Sequence, residues 1–447
     1  MKKKLMVLTL SALMLFSGIA CGNNNLTGTT NNENRNEEER EETEVKTEYT
    51  AVNLTENVNT LTLETSDISS SDINALSNAS TQLLGVISGD EGDTSNVLLS
   101  PTSIMMAFGM LENGASGDTL TEMESVINGG LSIENTNPVL YDIYSRLNGA
   151  EDVTWNVANS IWLKDDGNAT LVPDFLDKAA SYYGAEVWNA HFDASTVADI
   201  NNWVNEETLG MIPSVIDELS PDARMCLINA IAFEGEWDVK YEDDDIFEEG
   251  TFTNADGSTS TVPMLFSEEG NYFYLGDGIG FTRPYKGGEY SFVAILPDEG
   301  LTINEYIASI GDENFAEAVT NLNYDKEVYV RIPEFSTEYD IDMNETLQNM
   351  GLEKAYTEDA EFTNLLVGED GEEWPVCISD VIHKTFIEVN REGTKAAAVT
   401  AIEMADAMCA EPIDEPIHIT LDRPFVYAIV DNATGLPVFL GTMNTIE

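Results

Sequence analysis

The chain has 447 residues, of which 43% are hydrophobic, with 81 acidic side chains against 20 basic ones and a formal net charge of -61. That imbalance excludes nucleic acid, heparin-like polyanions and anionic lipid surfaces as partners, because each requires clusters of Lys and Arg that the chain lacks. The four cysteines show no CxxC or Cys/His spacing, so neither a disulfide framework nor a metal site is expected, and no cofactor.

The chain opens MKKKLMVLTLSALMLFSGIAC: three lysines, an apolar run from Leu5 to Ile19 too short to cross a bilayer comfortably, then small residues ending at Cys21. Residues 1–20 therefore read as an export signal. Gly18-Ile19-Ala20-Cys21 resembles a bacterial lipobox, which implies lipid on Cys21 and anchorage at the outside of a bacterial cell, although Gly18 stands where Leu is usual. Plain secretion is the alternative. Residues 21–67 are rich in Asn, Thr and Glu, include NRNEEEREETE and have almost no aromatics, the composition of a disordered acidic tether. From Ile68 onward apolar residues recur densely without a second linker, so 68–447 is expected to be one domain.

Helical patterns come early in that domain. DTLTEMESVIN from Asp118 starts on an acidic cap, PDFLDKAASYYG starts on Pro173, and TVADINNWVNEETLG follows. Strand patterns dominate later: TWNVANSIWL, RMCLINAIAFEGEW, EYSFVAILP, EVYVRIPEF, VIHKTFIEVN, FVYAIVD and LPVFLGTM. Helices first and strands later, without strict alternation, predict an α+β fold with large mixed sheets. Cys226, inside RMCLINAIAF, is expected to be a buried free thiol.

REGTKAAAVTAIEMADAMCAEP, Arg391 to Pro412, fits neither element cleanly. Read as a strand from Thr394 to Met404, it places Thr394, Ala396, Ala398, Thr400, Ile402 and Met404 on one uncharged face, and puts both charges of that span, Lys395 and Glu403, on the other. Gly393 supplies a flexible pivot, and the small residues that follow would pass easily between paired strands. A strand of some ten residues gaining partners on both sides would gain on the order of 10 kcal/mol, comparable to the stability of a whole domain. Taken alone, the same alanines also suit a surface helix.

Several blocks, in order, resemble one family. NVLLSPTSIMMAFGMLENGASGDTLTEM, INNWVNEETLGMIPSVI, LINAIAFEGEWDVKY, VIHKTFIEVNREGTKAAAVTAI and LDRPFVYAIVDNATGLPVFLGTM are similar to the serpin core, from its first helices to its C-terminal signature. The resemblance implies a single domain of three β-sheets and about nine helices with an exposed reactive-centre loop. It implies a suicide substrate, not an enzyme: a serine protease cleaves the loop, forms an acyl-enzyme and is trapped when the loop inserts into the central sheet.

Carried over residue by residue, the resemblance makes Gly393, Thr394, Ala396, Ala397 and Ala398 the hinge and places cleavage between Ala407 and Met408. Alanine at the specificity position suits an elastase-like or subtilisin-like enzyme with a small apolar pocket. The loop beyond Ala407 is longer than usual, and Met404 or Met408 would instead suit a chymotrypsin-like enzyme. Ser100, Ser103, Asn229 and His383 match the polar cluster where the sheet opens, and Trp237 matches the aromatic at the point of loop entry. Arg391 stands where the family usually has an acid and Glu334 where it has a base, so the two charges are expected to be exchanged with their attraction kept. A Ser/His/Asp triad is disfavoured, because LSPTS lacks a nucleophile elbow and no Gly-rich oxyanion motif flanks it. A monomer is expected, reaching a membrane only through an N-terminal lipid. A non-inhibitory binding module of the same fold is the alternative function.

Overall fold

The computed structural model describes residues 48–56, 58, 61–63, 68–165, 167, 169–220, 222–368, 371, 374–394 and 415–446. Cys21 and the loop residues Ala396, Ala397, Ala398, Met404, Ala407 and Met408 lie outside them.

The described residues form nine α-helices, from Ser70–Glu91 to Asn344–Asn349, and four sheets. The main sheet has seven strands in the order Val52–Asn53, Glu186–Ala190, Val153–Lys164, Met225–Glu236, Gly393–Thr394, Asp380–Asn390 and Phe335–Asp342. A six-stranded sheet runs from Val97–Leu99 through Pro437–Met443, Phe425–Asp431, Tyr290–Pro297 and Gly278–Pro284 to Phe273–Tyr274. A third sheet pairs Ile417–Thr420, Val328–Pro333, Thr259–Glu269 and Ile246–Thr253 in that order, and Leu366–Gly368 with Ala169–Leu171 makes a two-stranded fourth.

Burial explains these elements. In Asp380–Asn390 buried positions alternate strictly, so its odd-numbered side chains are buried on one face and its even-numbered ones are half-buried on the other, Ile382 against the second cluster. Met225–Glu236 is buried on both faces over most of its length, as a central strand must be, with Leu227, Ile231 and Phe233 in the main core. Its other face, with Cys226, Ile228 and Ala230, packs into a second cluster with Ile200, Trp203 and Val204 of helix Ala194–Glu207. Cys226 is buried and free. Helix Pro101–Glu112 is buried all round, its start set by Pro101 and by the Ser100 hydroxyl, which accepts from Ser103 N–H at 3.3 Å.

The structure corrects two sequence expectations. EVYVRIPEF is two strands in different sheets: Val328–Pro333 pairs with Thr259–Glu269, and Phe335–Asp342 pairs with Asp380–Asn390. The folded body also begins before residue 68. Val52–Asn53 adds an edge strand against Asn189 and Trp188, and the Asp199 carboxylate accepts from Thr50 N–H, Thr50 Oγ1 and Ala51 N–H at 2.9, 2.6 and 2.8 Å. Tyr49 tilts against Trp188 at 5.0 Å and donates to Glu206 at 2.7 Å. Backbone pairing, one buried acceptor and the packing of Tyr49 and Ala51 on the second cluster attach this segment, too few apolar contacts to register in hydrophobic composition.

Candidate functional site

Strands Met225–Glu236 and Asp380–Asn390 run parallel and pair directly from Cys226 and Asp380 up to Ile231 and Thr385. Above that point they part. After the turn at Arg391 and Glu392 the chain comes back between them, with Gly393 and Thr394 antiparallel to both neighbours, opposite Glu236 and Gly235 on one side and Asn390 and Val389 on the other. The hinge expected to be a pivot is therefore already the first two residues of an inserted strand. Gly393 adopts φ +152°, and a Cβ there would overlap the Gly235 carbonyl oxygen, so this position requires glycine for close approach as well as for conformation.

The entry is held from three directions. Thr394 is fully buried, its hydroxyl 2.6 Å from that of Tyr285. Trp237 stacks on Tyr285 with centroids 4.8 Å apart, donates from Nε1 to the Asn390 carbonyl at 2.9 Å, and donates from its backbone N–H to the Glu392 carbonyl at 3.1 Å. Arg391 meets Glu334: Nε and Nη2 donate to the two carboxylate oxygens at 2.9 and 3.0 Å, and the Arg391 backbone N–H donates to Oε1 at 3.0 Å. Glu248 adds a longer contact to Arg391 Nη1 at 3.3 Å. The paired fork geometry fixes the turn against the strand Phe335–Asp342 side of the sheet.

Lower in the same seam lies the polar cluster. His383 and Asn229 sit opposite each other on the two strands, with Nδ1 and Oδ1 2.6 Å apart. The Ser100 backbone N–H donates to His383 Nε2 at 3.0 Å, so Nε2 is the acceptor and the proton resides on Nδ1, donated to Asn229. Burial without a counter-charge pushes the His383 pKa from 6.5 down to about 3. Asn229 Nδ2 donates to the Ser103 carbonyl at 2.9 Å, to the Ser103 hydroxyl and to Asn159 Oδ1 at 2.6 Å. The cluster thus ties the start of helix Pro101–Glu112 to three neighbouring strands.

This arrangement cannot act as a hydrolytic triad. Both imidazole nitrogens are committed, the Ser100 hydroxyl donates away from the ring to the Val438 carbonyl at 2.7 Å, and no serine hydroxyl bonds the histidine among the described residues. What it can do is exchange partners when the strands separate, since every group in it is a neutral donor or acceptor.

Three members of the site were not anticipated. Asn159 was legible as an amide in the middle of the apolar strand Val153–Lys164, directly opposite Asn229. Tyr285 and Glu248 carry no local sequence signal, since their roles arise from strands distant in sequence.

A sequence model of the family described as "Serpin (serine protease inhibitor)" matches residues 74–446. The crystal structure of tengpin, a thermophilic serpin, in its native state superposes with a TM-score of 0.80 at 38% identity, covering 89% of this chain and 100% of that one. Iripin-8 of Ixodes ricinus is 30% identical over 372 residues, 79% of this chain and 89% of its own length. Antitrypsin of Bombyx mori is 29% identical over 355 residues, 77% and 87% of the two chains. The hinge entering the main sheet, the polar seam beneath it and the match over nearly the whole folded body together establish that this chain belongs to the serpin family.

Proposed function

We propose that the chain is a suicide-substrate inhibitor of serine proteases, cleaved between Ala407 and Met408 by an enzyme with a small apolar specificity pocket, elastase-like or subtilisin-like. The acyl-enzyme is trapped when residues from Lys395 onward follow Gly393 and Thr394 into the main sheet. The N-terminal leader and Cys21 would place the inhibitor on the outside of a bacterial cell, held by lipid as a monomer.

The observation that carries this reading is the register of the two residues already inserted. Continued downward, it sets Ala396 between Phe233 and Ile387, Ala398 between Ile231 and Thr385, and Thr400 between Asn229 and His383. Thr400 shares the inward face with Thr394, so a hydroxyl arrives where the Asn229–His383 hydrogen bond must break, and both partners regain a neutral hydrogen-bonding group. On the outer face Lys395 falls between Glu234 and Glu388, an attraction that favours the first step. Small side chains at 396–398 keep that passage open.

The test is to mix the protein with pancreatic elastase, subtilisin, chymotrypsin and trypsin, separate the products under SDS and sequence the released C-terminal peptide. An SDS-resistant complex and a peptide beginning at Met408 are expected. Cleavage without any trapped complex would refute inhibition and mark a non-inhibitory member of the fold.

A further inference from the structure

The four-stranded sheet turns one face to the core and one to solvent. On the solvent face, Phe266, Tyr329 and His418 from three adjacent strands stand in a row with ring centroids 6.1 and 5.3 Å apart. Arg331, opposite Phe266 in the ladder, lies 4.8 Å over the ring of Phe247, which is 46% exposed on the fourth strand. A shallow groove of about 310 Å³ runs between Phe266, Glu268, Tyr329, Arg331, His418 and Thr420.

Two features distinguish this strip from ordinary surface. In a chain with 81 acids and 20 bases, Arg331 has no carboxylate at ion-pair distance among the described residues; its guanidinium is spread on an aromatic face, with donors left for an incoming acid. The strip also adjoins the reactive loop. Ala407 lies only ten positions before Ile417, the first residue of the strand that carries His418. Ten residues span at most about 35 Å, less than the roughly 45 Å width of a protease domain of ordinary size, so an enzyme engaged at Ala407 has its surface over or beside this sheet.

We propose that the outer face of the four-stranded sheet is a second contact surface for the protease, receiving an exposed apolar side chain of the enzyme flanked by a carboxylate. The apolar group packs on Phe266 and Tyr329, and the carboxylate pairs with Arg331. Glu268 at the other end of the groove repels a second acid and so sets the direction in which the enzyme docks. This inference rests on the inhibitor reading and adds to it a determinant of which enzyme is caught fastest.

The test compares association rate constants of wild type, Arg331→Ala, Tyr329→Ala and Tyr329→Phe with each of the four proteases that the wild type traps, at low and high salt. For at least one enzyme, R331A and Y329A are expected to associate about tenfold more slowly with unchanged stoichiometry, Y329F to stay near wild type, and the R331A deficit to shrink as salt rises. Arg331 is exposed, so R331A carries the test if Y329A folds poorly. Rates for R331A within twofold of wild type for every trapped enzyme would overturn this inference alone. Absence of any trapped complex with the wild type would overturn the inhibitor reading and this inference with it.

Discussion

Reversing Glu334 to arginine should release the turn that holds the hinge at the top of the main sheet. Glu334 accepts three hydrogen bonds from Arg391, two from the guanidinium and one from the backbone. The pair is partly shielded, with side-chain exposures of 18% and 35%, which places its worth between an exposed and a buried ion pair, about 2 kcal/mol. If that attraction is lost before the sheet opens, E334R should convert spontaneously to the inserted or polymerised form about thirtyfold faster, since 1.4 kcal/mol is a tenfold change in rate. The double variant E334R/R391E restores the opposite charges but not the whole arrangement. The guanidinium introduced by E334R offers no acceptor to the backbone N–H of residue 391, and the carboxylate introduced by R391E would face Glu248 across the 3.3 Å contact now made by Arg391. Recovery should therefore be partial, falling short by about 1 kcal/mol, roughly fivefold in rate. The assay is loss of monomer on native gels at fixed temperature, with residual inhibitory activity measured in parallel. Equal conversion rates for the single and double variants would show that the ion pair does not latch the hinge.

Two pH responses follow from buried groups. His383 is neutral in the fold, its pKa lowered from 6.5 to about 3 by burial; its contribution is present above pH 6.5 and is lost as pH falls toward 3, about 2 to 3 kcal/mol by pH 4.5. The urea midpoint of wild type should fall across that range more steeply than that of His383→Asn, and parallel curves would contradict the assignment. Glu112 shows the opposite slope. Burial raises its pKa from 4.5 to about 8, against the opposing hydrogen bond from Asn128, so the carboxyl is protonated at neutral pH. Its stability is full below pH 4.5 and is lost as pH rises through 8, on the order of 5 kcal/mol at the limit. Glu112→Gln, which keeps the shape and can still face Asn128, should flatten the alkaline limb of a stability profile from pH 6 to 9.5; an unchanged limb would mean that Glu112 is ionised in the fold.

Where a sequence pattern is set by burial, the structure follows it. The alternation in VIHKTFIEVN and the apolar run of RMCLINAIAF, broken only by Asn229 after Met225, place their strands at the core, because those apolar side chains have nowhere else to be buried. The break inside EVYVRIPEF is a phase slip of one residue, buried positions being even-numbered up to Ile332 and odd-numbered from Pro333, and the hydrogen-bonding partner changes at the same place, Glu334 N–H donating to the Pro263 carbonyl at 2.9 Å. Periodicity reports which face of a strand is covered and says nothing of which strand lies beside it. The same limit hid the attachment of 48–56, where a carboxylate, backbone pairing and the side chains of Tyr49 and Ala51 do the binding. In the site, Arg391 and Glu334 were readable as complementary charges at matched places, whereas Glu248 and Tyr285 reach the entry from elements that only the folded chain brings near.

With Gly393 and Thr394 already between the two parallel strands, the main sheet resembles a zip fastener whose slider is engaged before it is pulled. Finding the gap and choosing an alignment are ordinarily the improbable part of joining a strand to a sheet, because chain freedom is surrendered before many bonds repay it. Here that improbable part is complete for Gly393 and Thr394, and on the proposed mechanism severing the loop would leave only successive rungs to be exchanged. On the proposed mechanism, the outcome of each encounter would be a race between rung-by-rung travel and water reaching the acyl bond, a race whose starting line lies inside the sheet.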